Sequence, residues 1–266
     1  MGNHVRALLF TCTMLSGLPA PVLHAQQAPG HQPEAPMANQ HRRGEKKPMI
    51  ANAEGASVTL WAPDLSTQPA RIEQGEISLP KTGVDNYHAM VIEQDWGRYK
   101  EALVQYIYRR GKPSKESPMR LVNAEKTTFE VVPAPLPRGH YHYYTQQEWG
   151  FKLRFQNKPL ANLPVVLETE NGSRIESQAN AQGEVTFLLP DDFPGIVEGE
   201  RDRRNADFTV TAEHVDNGIT YRSALNAEYR INQSHWQSLD MGIAVAGLGL
   251  LVGGFIGRAK SNKGGK

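Results

Sequence analysis

The sequence predicts an all-β protein built from two small antiparallel sandwiches, and three observations carry this prediction. Apolar and polar residues alternate in several short runs, which is the period of a half-buried strand. Gly, Pro, Asn and Asp separate these runs at short intervals, as turn residues do. The chain has 266 residues, 39% of them hydrophobic, which suffices for about two folded cores. Residues 57–132 are assigned to the first sandwich and residues 133–232 to the second.

The second sandwich has the clearest strands. Its apolar alternation involves Phe151, Leu153 and Phe155, then residues 164–167, then Val185, Phe187 and Leu189. Asn171–Gly172 favours a type I′ hairpin turn, because both residues tolerate positive φ. Asn217–Gly218 predicts the turn of a final long hairpin, with its strands at residues 208–212 and 219–231. Between these strands, the charged residues 191–206 predict a solvated loop, since their acids lack the spacing of a calcium-binding loop.

The first sandwich is marked by shorter runs. Apolar residues at 58–61, 72, 77–79, 87–92 and 127–132 predict strands, and the run at 87–92 is the clearest. Residues 98–110 are ambiguous. Their apolar spacing through Tyr99, Leu103, Tyr106 and Ile107 fits a helix, and the absence of Gly and Pro permits a short one.

The strand pattern also carries a resemblance. The stretches FQNKPLANLPVVLETENGSRIESQANAQGEVTFLLP (155–190), TFEVVPAPL (128–136) and FTVTAEHVDNGITYRSALNAEYRI (208–231) together resemble the periplasmic family called domain of unknown function 4198. This resemblance covers about residues 57–231 and implies prealbumin-like or immunoglobulin-like sandwiches. Members are often encoded with nickel or cobalt uptake systems, so the resemblance also implies an accessory role in metal uptake.

The start of the chain departs from that family. Members begin the mature chain with a His-Asp-Phe-Trp type motif, whereas this chain has a long polar arm followed by Thr59-Leu60-Trp61-Ala62. Trp61 is retained without a neighbouring histidine or acid. An N-terminal histidine site therefore does not carry over to this sequence.

Residues 1–25 predict an export signal. Arg6 precedes an apolar run at 7–18, and small residues lead to a cleavage site after Ala25. An uncleaved signal anchor is the alternative. Cys12 is the one cysteine, so cleavage leaves a mature chain without disulfide or thiolate chemistry.

Residues 26–56 predict a disordered linker, because they are rich in Gln, Pro and charged residues. The linker contains His31 and His41, and His24 lies just before it. These histidines form either a weak metal-collecting tail or simply part of a solvated surface.

Residues 239–257 predict a transmembrane helix followed by a basic cytoplasmic tail at 258–266. Seventeen residues at 241–257 span about 25 Å as a helix, slightly less than a bilayer core of about 30 Å. The basic tail belongs on the cytoplasmic side. The sequence thus predicts a single-pass protein of the inner membrane with its folded part in the periplasm.

Small residues recur on one face of this predicted span, namely Gly242, Ala246, Gly249, Gly253 and Gly257. Such a face lets a second helix approach closely. One interpretation is that the helix packs against a transporter permease subunit or a second copy of the chain. The other is that it is a passive anchor, because glycine is common in membrane helices.

Histidines suggest a metal site at the junction between the two predicted sandwiches. His140 and His142 in RGHYHYY point to the same side of a strand, which suits a divalent nickel, cobalt, copper or zinc ion. His88 and His214 are candidate further ligands from neighbouring strands. The alternative is an aromatic patch between domains in which these histidines are hydrogen-bonded surface residues.

Two functional hypotheses follow. The first is a membrane-anchored periplasmic accessory of a transition-metal uptake system, and the second is a structural or adhesive interaction module without metal. Catalysis is not expected, because the sequence has no nucleophile elbow, zincin, phosphate-loop or dinucleotide motif. The net charge of +1 gives no reason to expect nucleic acid as a partner.

Overall fold

The computed structural model describes residues 55–137 and 142–237, and these residues confirm the all-β prediction. The strands are β1 (Ser57–Trp61), β2 (Thr67–Pro69), β3 (Arg71–Glu73), β4 (Glu76–Ser78), β5 (Val84–Asp95), β6 (Tyr99–Arg109), β7 (Lys112–Pro113), β8 (Phe129–Pro133), β9 (Tyr143–Tyr144), β10 (Glu148–Phe155), β11 (Lys158–Pro159), β12 (Pro164–Thr169), β13 (Arg174–Gln178), β14 (Glu184–Leu188), β15 (Asn205–Asp216) and β16 (Ile219–Arg230). Helical structure within the described residues comprises α1 (Pro118–Asn123) and a 3₁₀ turn (Gln233–Trp236).

Two sheets form the framework. The larger has ten strands, with the order β13-β12-β15-β16-β6-β5-β1-β2, and with β7 paired to β5 and β9 paired to β16. The smaller has four strands, with β10 between β14 on one side and β8 on the other, and with β11 paired to the end of β10. A separate hairpin of β3 and β4 completes the structure.

The principal core lies between the two sheets, and the predicted alternation places its side chains. Phe151 and Phe187 of the smaller sheet pack with Phe208 of the larger one, and all three side chains are almost fully buried. Burying a large apolar side chain contributes about 1.5–3 kcal/mol. A second cluster around Met90 lies on the other face of β5, where the β3–β4 hairpin supplies Ile77.

Strands from both predicted sandwiches join in the same sheet. β16 pairs in parallel with β6, with Thr220 opposite Tyr99 and Asn226 opposite Gln105. The predicted boundary between residues 132 and 133 falls inside β8, and the described residues 55–137 and 142–237 belong to one compact unit. Parallel strands that pair are far apart in sequence, and no local sequence pattern predicts their pairing.

The ambiguity at residues 98–110 is resolved in favour of a strand, because this stretch forms β6 and not the short helix that its apolar spacing permits. Its side chains alternate between the principal core, which takes Val104, and the opposite face, where Ile107 joins the cluster around Met90. Pairing to β5 along its length and to β16 over its first half overrides the helical spacing.

Both predicted hairpins form, but their turns differ. Asn217 and Gly218 have φ of 49° and 76°, the positive values of a type I′ turn. In the β12–β13 hairpin, Gly172 alone of the Asn171–Gly172 pair has a positive φ, 97°. The amide of Gly172 donates to the carbonyl of Thr169, and a hydrogen bond from the amide of Thr169 to the carbonyl of Ser173 closes a longer loop.

The short helix α1 is fixed to the smaller sheet by a buried ionic cluster. Glu130 accepts hydrogen bonds from the backbone amide of Lys126 and from Nε of Arg154, at 3.0 and 2.6 Å. The side chains of Lys126 and Glu130 are fully buried, and that of Arg154 is 12% exposed. Desolvation lowers the pKa of Lys126 to about 8.

The same two cations bind the carbonyl end of α1. Lys126 Nζ donates to the carbonyls of Leu121 and Ala124, while Arg154 donates to those of Val122 and Asn123. These carbonyls have no partner within the helix, so cations here satisfy them and complement the helix dipole. The cluster of Lys126, Glu130 and Arg154 is called the ionic clamp below.

The predicted signal, linker, membrane span and basic tail at residues 1–25, 26–56, 239–257 and 258–266 lie outside the described residues, apart from 55 and 56. The helices within residues 55–137 and 142–237 are all too short and too polar to cross a bilayer.

Candidate binding cleft and the predicted histidines

A cleft opens in the larger sheet where β6 and β16 diverge. Their parallel pairing ends at Gln105 and Asn226, and β9 then takes the place of β6 beside β16, with Tyr143 opposite Tyr229. Residues 106–109 of β6 remain paired to β5 on one side. On the other side, no strand in the described part of the chain pairs with them.

This fork cleft has a volume of about 930 Å³, near the upper end of the usual range for ligand pockets. Because it passes between two strands, side chains from both faces of the sheet line it. Its lining comprises Asp85, Tyr87, Gln105, Tyr106, Ile107, Tyr108, Arg110, Gly111, Leu136, Pro137, His142, Tyr143, Leu225, Asn226, Ala227, Glu228 and Arg230.

Tyrosines dominate the cleft. Tyr87 and Tyr108 meet edge to face at 5.2 Å between ring centroids, and Tyr108 remains 48% exposed. Tyr143 is buried in the floor, where desolvation raises the pKa of its hydroxyl. The hydroxyl of Tyr106 is buried and has no hydrogen-bond partner in the part of the chain that the structure describes. Tyrosine combines a large apolar contact area with few rotatable bonds, which favours its use in recognition surfaces.

Charged residues surround this aromatic lining. Arg230 pairs with Glu228 at 2.9 Å, so their charges offset each other. Tyr108 hydrogen-bonds to Asp85, which raises the pKa of the tyrosine hydroxyl. Arg110 is exposed and has no carboxylate within 4 Å among the described residues. The rim therefore presents Arg110, a cation unpaired among residues 55–137 and 142–237, beside a strand edge that these residues leave open.

Of the predicted metal ligands His140 and His142, the structure describes only His142. His142 is half-buried in the lining of the fork cleft, with its ring edge-on to Tyr144 at 6.2 Å. His140 lies outside the described residues. Within the described ones, no three or more His, Cys, Asp or Glu side chains are grouped closely enough to hold a metal ion.

His88 is placed in a buried hydrogen-bond network. Its Nδ1 lies 3.1 Å from the carbonyl of Asn86, and its Nε2 lies 2.8 Å from the hydroxyl of Thr82. Since a carbonyl only accepts, Nδ1 carries the proton and Nε2 accepts from Thr82. Burial lowers the pKa of His88, in keeping with a neutral ring. Both nitrogens are therefore engaged, and neither is available to an ion.

His214 lies far from His142. It is opposite Tyr221 on β16, whereas Tyr143, next to His142, is opposite Tyr229. The distance from Tyr221 to Tyr229 along a strand is about 26 Å at about 3.3 Å per residue. His214 packs instead against Phe155, with 4.8 Å between ring centroids. The structure does not bring His142 and His214 to one ion.

Sequence reasoning found His142 and Tyr143 but missed the cleft they belong to. Tyr106, Ile107 and Tyr108 were read within a possible helix, and Arg110 appeared as its end. The fork depends on a strand pairing between β6 and β16, which lie more than a hundred residues apart in sequence. Tyr106 and Tyr108, two residues apart and on the opposite side from Ile107, were the signal in favour of a strand.

Comparisons with known proteins give little further information. No family model matches the chain, and no curated protein matches it. Among solved structures, it is similar to a Ca²⁺-stabilised adhesin that helps an Antarctic bacterium reach out and bind ice. The identity is 14%, the TM-score is 0.27, and the match covers 67% of this chain and 40% of the adhesin. A likeness this low bears on neither the fold nor the function of this chain.

Proposed function

We propose that this chain is an extracytoplasmic interaction module that binds an extended segment of a partner protein in the fork cleft. The observation that carries the proposal is the edge of β6 at residues 106–109, which has no strand partner among the described residues and lies inside an aromatic cleft. An unpaired strand edge presents backbone donors and acceptors to an incoming strand. Peptides that add a strand to a sheet use this mode of recognition.

The dimensions support an extended ligand. Four residues of β6 span about 13 Å, which is the length of a short added strand. The adjacent tyrosines offer apolar contacts for alternate side chains of the ligand, and Arg110 favours an acidic residue at one end. An added strand would restore the pairing that β6 loses after Gln105.

The extracytoplasmic location rests on the predicted signal at 1–25 and the predicted span at 239–257. In this proposal the linker and the membrane helix hold the module near the membrane. The Gly242, Ala246, Gly249, Gly253 and Gly257 face would then serve self-association or contact with a membrane partner.

A peptide selection tests the binding mode. The full chain would be used to select from a display library of random octapeptides, and the enriched peptides would be measured by titration. We expect peptides with alternating apolar residues and an acid, and about tenfold weaker binding to the Arg110→Glu variant. The Arg98→Glu variant is the matched control, because Arg98 is equally exposed at the opposite end of β6. Equal binding by both variants would contradict the proposal.

The metal-uptake role implied by the family resemblance stays a separate proposal. It requires that His140 and His142 bind nickel, cobalt, copper or zinc. Titration of the full chain with each ion tests it, with the His140→Ala/His142→Ala double variant as the control. Loss of binding in the double variant is expected under this proposal, and unchanged binding would count against it.

A further inference from the structure

Three polar side chains from distant parts of the chain converge away from the fork cleft. Gln146 follows β9, Asp191 follows β14, and His235 lies in the 3₁₀ turn (Gln233–Trp236). Oδ2 of Asp191 lies 2.8 Å from Nε2 of His235 and 2.8 Å from the side-chain amide of Gln146. The same amide lies 3.4 Å from Nε2 of His235. These three side-chain atoms, from Gln146, Asp191 and His235, thus form one compact triangle.

The size of this triangle suits the ligands of a metal ion. Imidazole nitrogen and carboxylate oxygen lie about 2.1 Å from zinc. Ligands at that distance, with angles between those of an octahedron and a tetrahedron, are about 3.0–3.4 Å apart. The observed separations of 2.8–3.4 Å are close to this range. Turning the Gln146 amide by 180° places its oxygen at the third corner, because the two ends of an amide occupy equivalent positions.

Separate hydrogen bonds fix the Gln146 and His235 corners of the triangle. Gln146 has an unusual positive φ of 58°, and its backbone amide donates to the carbonyl of Leu189. Asn232 caps the turn that carries His235, and it is tied in turn to Thr145 by two hydrogen bonds. Ligands held in place before binding lose little entropy when an ion arrives.

The Asp191 corner is fixed through its neighbour. Asp192 accepts hydrogen bonds from Thr169 and Tyr229 at 2.6 and 2.5 Å. This carboxylate is thereby anchored to the larger sheet, and the preceding residue is held beside the turn. The side chains of Asp191 and His235 are 25% and 22% exposed, so one side of the triangle remains open to solvent. An open side leaves coordination positions for water or for a group from a partner.

We propose that Gln146, Asp191 and His235 form an open three-ligand site for a divalent first-row transition metal ion. The imidazole favours zinc, nickel or cobalt over calcium and magnesium, which prefer all-oxygen ligands. This site is distinct from the fork cleft and from the predicted His140 and His142 pair. It does not depend on the peptide-binding function.

Calorimetric titration of the full chain with zinc, nickel and cobalt ions tests the site. The two test variants are His235→Gln, which retains a hydrogen-bonding side chain, and Asp191→Asn, which retains shape. We expect each to weaken binding of the tightest ion at least about tenfold. The His140→Ala/His142→Ala variant should bind as the wild type does, and all variants keep the histidines of the N-terminal region as a shared background.

A second measurement locates the ion. Cobalt is paramagnetic, so its binding should shift or broaden the amide signals of residues 145–147 and 232–236 first. Circular dichroism of the metal-free variants shows whether they remain folded. Equal affinities in wild type, His235→Gln and Asp191→Asn would overturn the site. So would cobalt effects confined to residues outside these two segments and outside residues 190–192, or loss of binding in the His140→Ala/His142→Ala variant alone.

Discussion

The ionic clamp and the fork cleft are two places where polar backbone groups lack a partner within their own helix or sheet, and they resolve this in opposite ways. At the clamp, Lys126 and Arg154 bind the free carbonyls of α1, and Glu130 pairs with both cations. At the cleft, the edge of β6 at residues 106–109 has no such cover among the described residues. Under the proposed function, the clamp serves stability and the cleft serves binding.

The largest effect on stability is expected from breaking the clamp. Glu130→Ala leaves Lys126 and Arg154 buried without their carboxylate, which costs about 3–5 kcal/mol of unfolding free energy. Urea denaturation measures this loss. Glu168→Ala is the matched control, because Glu168 pairs with Arg174 on the surface, where such a pair contributes about 1 kcal/mol or less. A loss below 1 kcal/mol for Glu130→Ala would show that the clamp does not hold the helix.

The clamp should also produce a pH dependence. The pKa of Lys126 is about 8 in the folded chain, below the ordinary lysine value of 10.5. Between these values the unfolded chain binds more protons, so the free energy of unfolding rises with pH, by at most about 1.4 kcal/mol per pH unit. Urea titrations at pH 8 and 10 should show this rise in wild type relative to Lys126→Met. A parallel pH course in the two proteins would contradict the lowered pKa.

A smaller effect is expected at the buried His88. Its pKa in the folded chain is below the ordinary value of 6.5, so the unfolded chain takes up more protons as the pH falls below that value. The stabilisation from its neutral ring is complete above pH 6.5 and is lost as the pH falls further. Thermal unfolding at pH 7.5 and 5 should therefore show a larger acid destabilisation in wild type than in His88→Gln. The same acid shift in both proteins would exclude His88 as its source.

The smallest effect on stability is expected at the cleft. Arg110→Glu changes an exposed side chain without a described partner, so the free energy of unfolding should change by about 0.5 kcal/mol or less. The same variant should still bind the selected peptides about tenfold more weakly. Urea denaturation and peptide titration of one preparation separate the two properties. A large loss of stability would mean that Arg110 supports the fold and would remove the contrast with the clamp.

Local patterns in the sequence predicted much of the β-structure but not the arrangement of its strands. The alternation of Phe151, Leu153 and Phe155 and the turn at Asn217–Gly218 act between near neighbours, so β10 and the final hairpin were found. Residues 98–110 stayed ambiguous because the spacing of Leu103 and Ile107 also fits a helix, whereas pairing with β5 and with the distant β16 decides the conformation of β6.

The candidate sites show the same limit. The sequence predicts a metal site at His140 and His142 because these residues are close in sequence. Asp191 and His235, by contrast, meet only after two separate loops fold together. His88 carries no sign in its neighbours that Thr82 and Asn86 will occupy both of its ring nitrogens. A site built from residues far apart in the chain can be recognised only once the fold is known.

Residue-resolved amide hydrogen exchange of the full chain, without added ligand, tests the central claim about the cleft most directly. In β6, amides at residues 100–104 lie between two paired strands and should be protected throughout. At residues 106–109, the amides directed to β5 should be protected and those directed to the cleft should exchange rapidly. An open, strand-binding edge of β6 predicts this alternation of protected and rapidly exchanging amides. Uniform strong protection across residues 100–109 would show that the edge of β6 is closed and would contradict a strand-binding cleft.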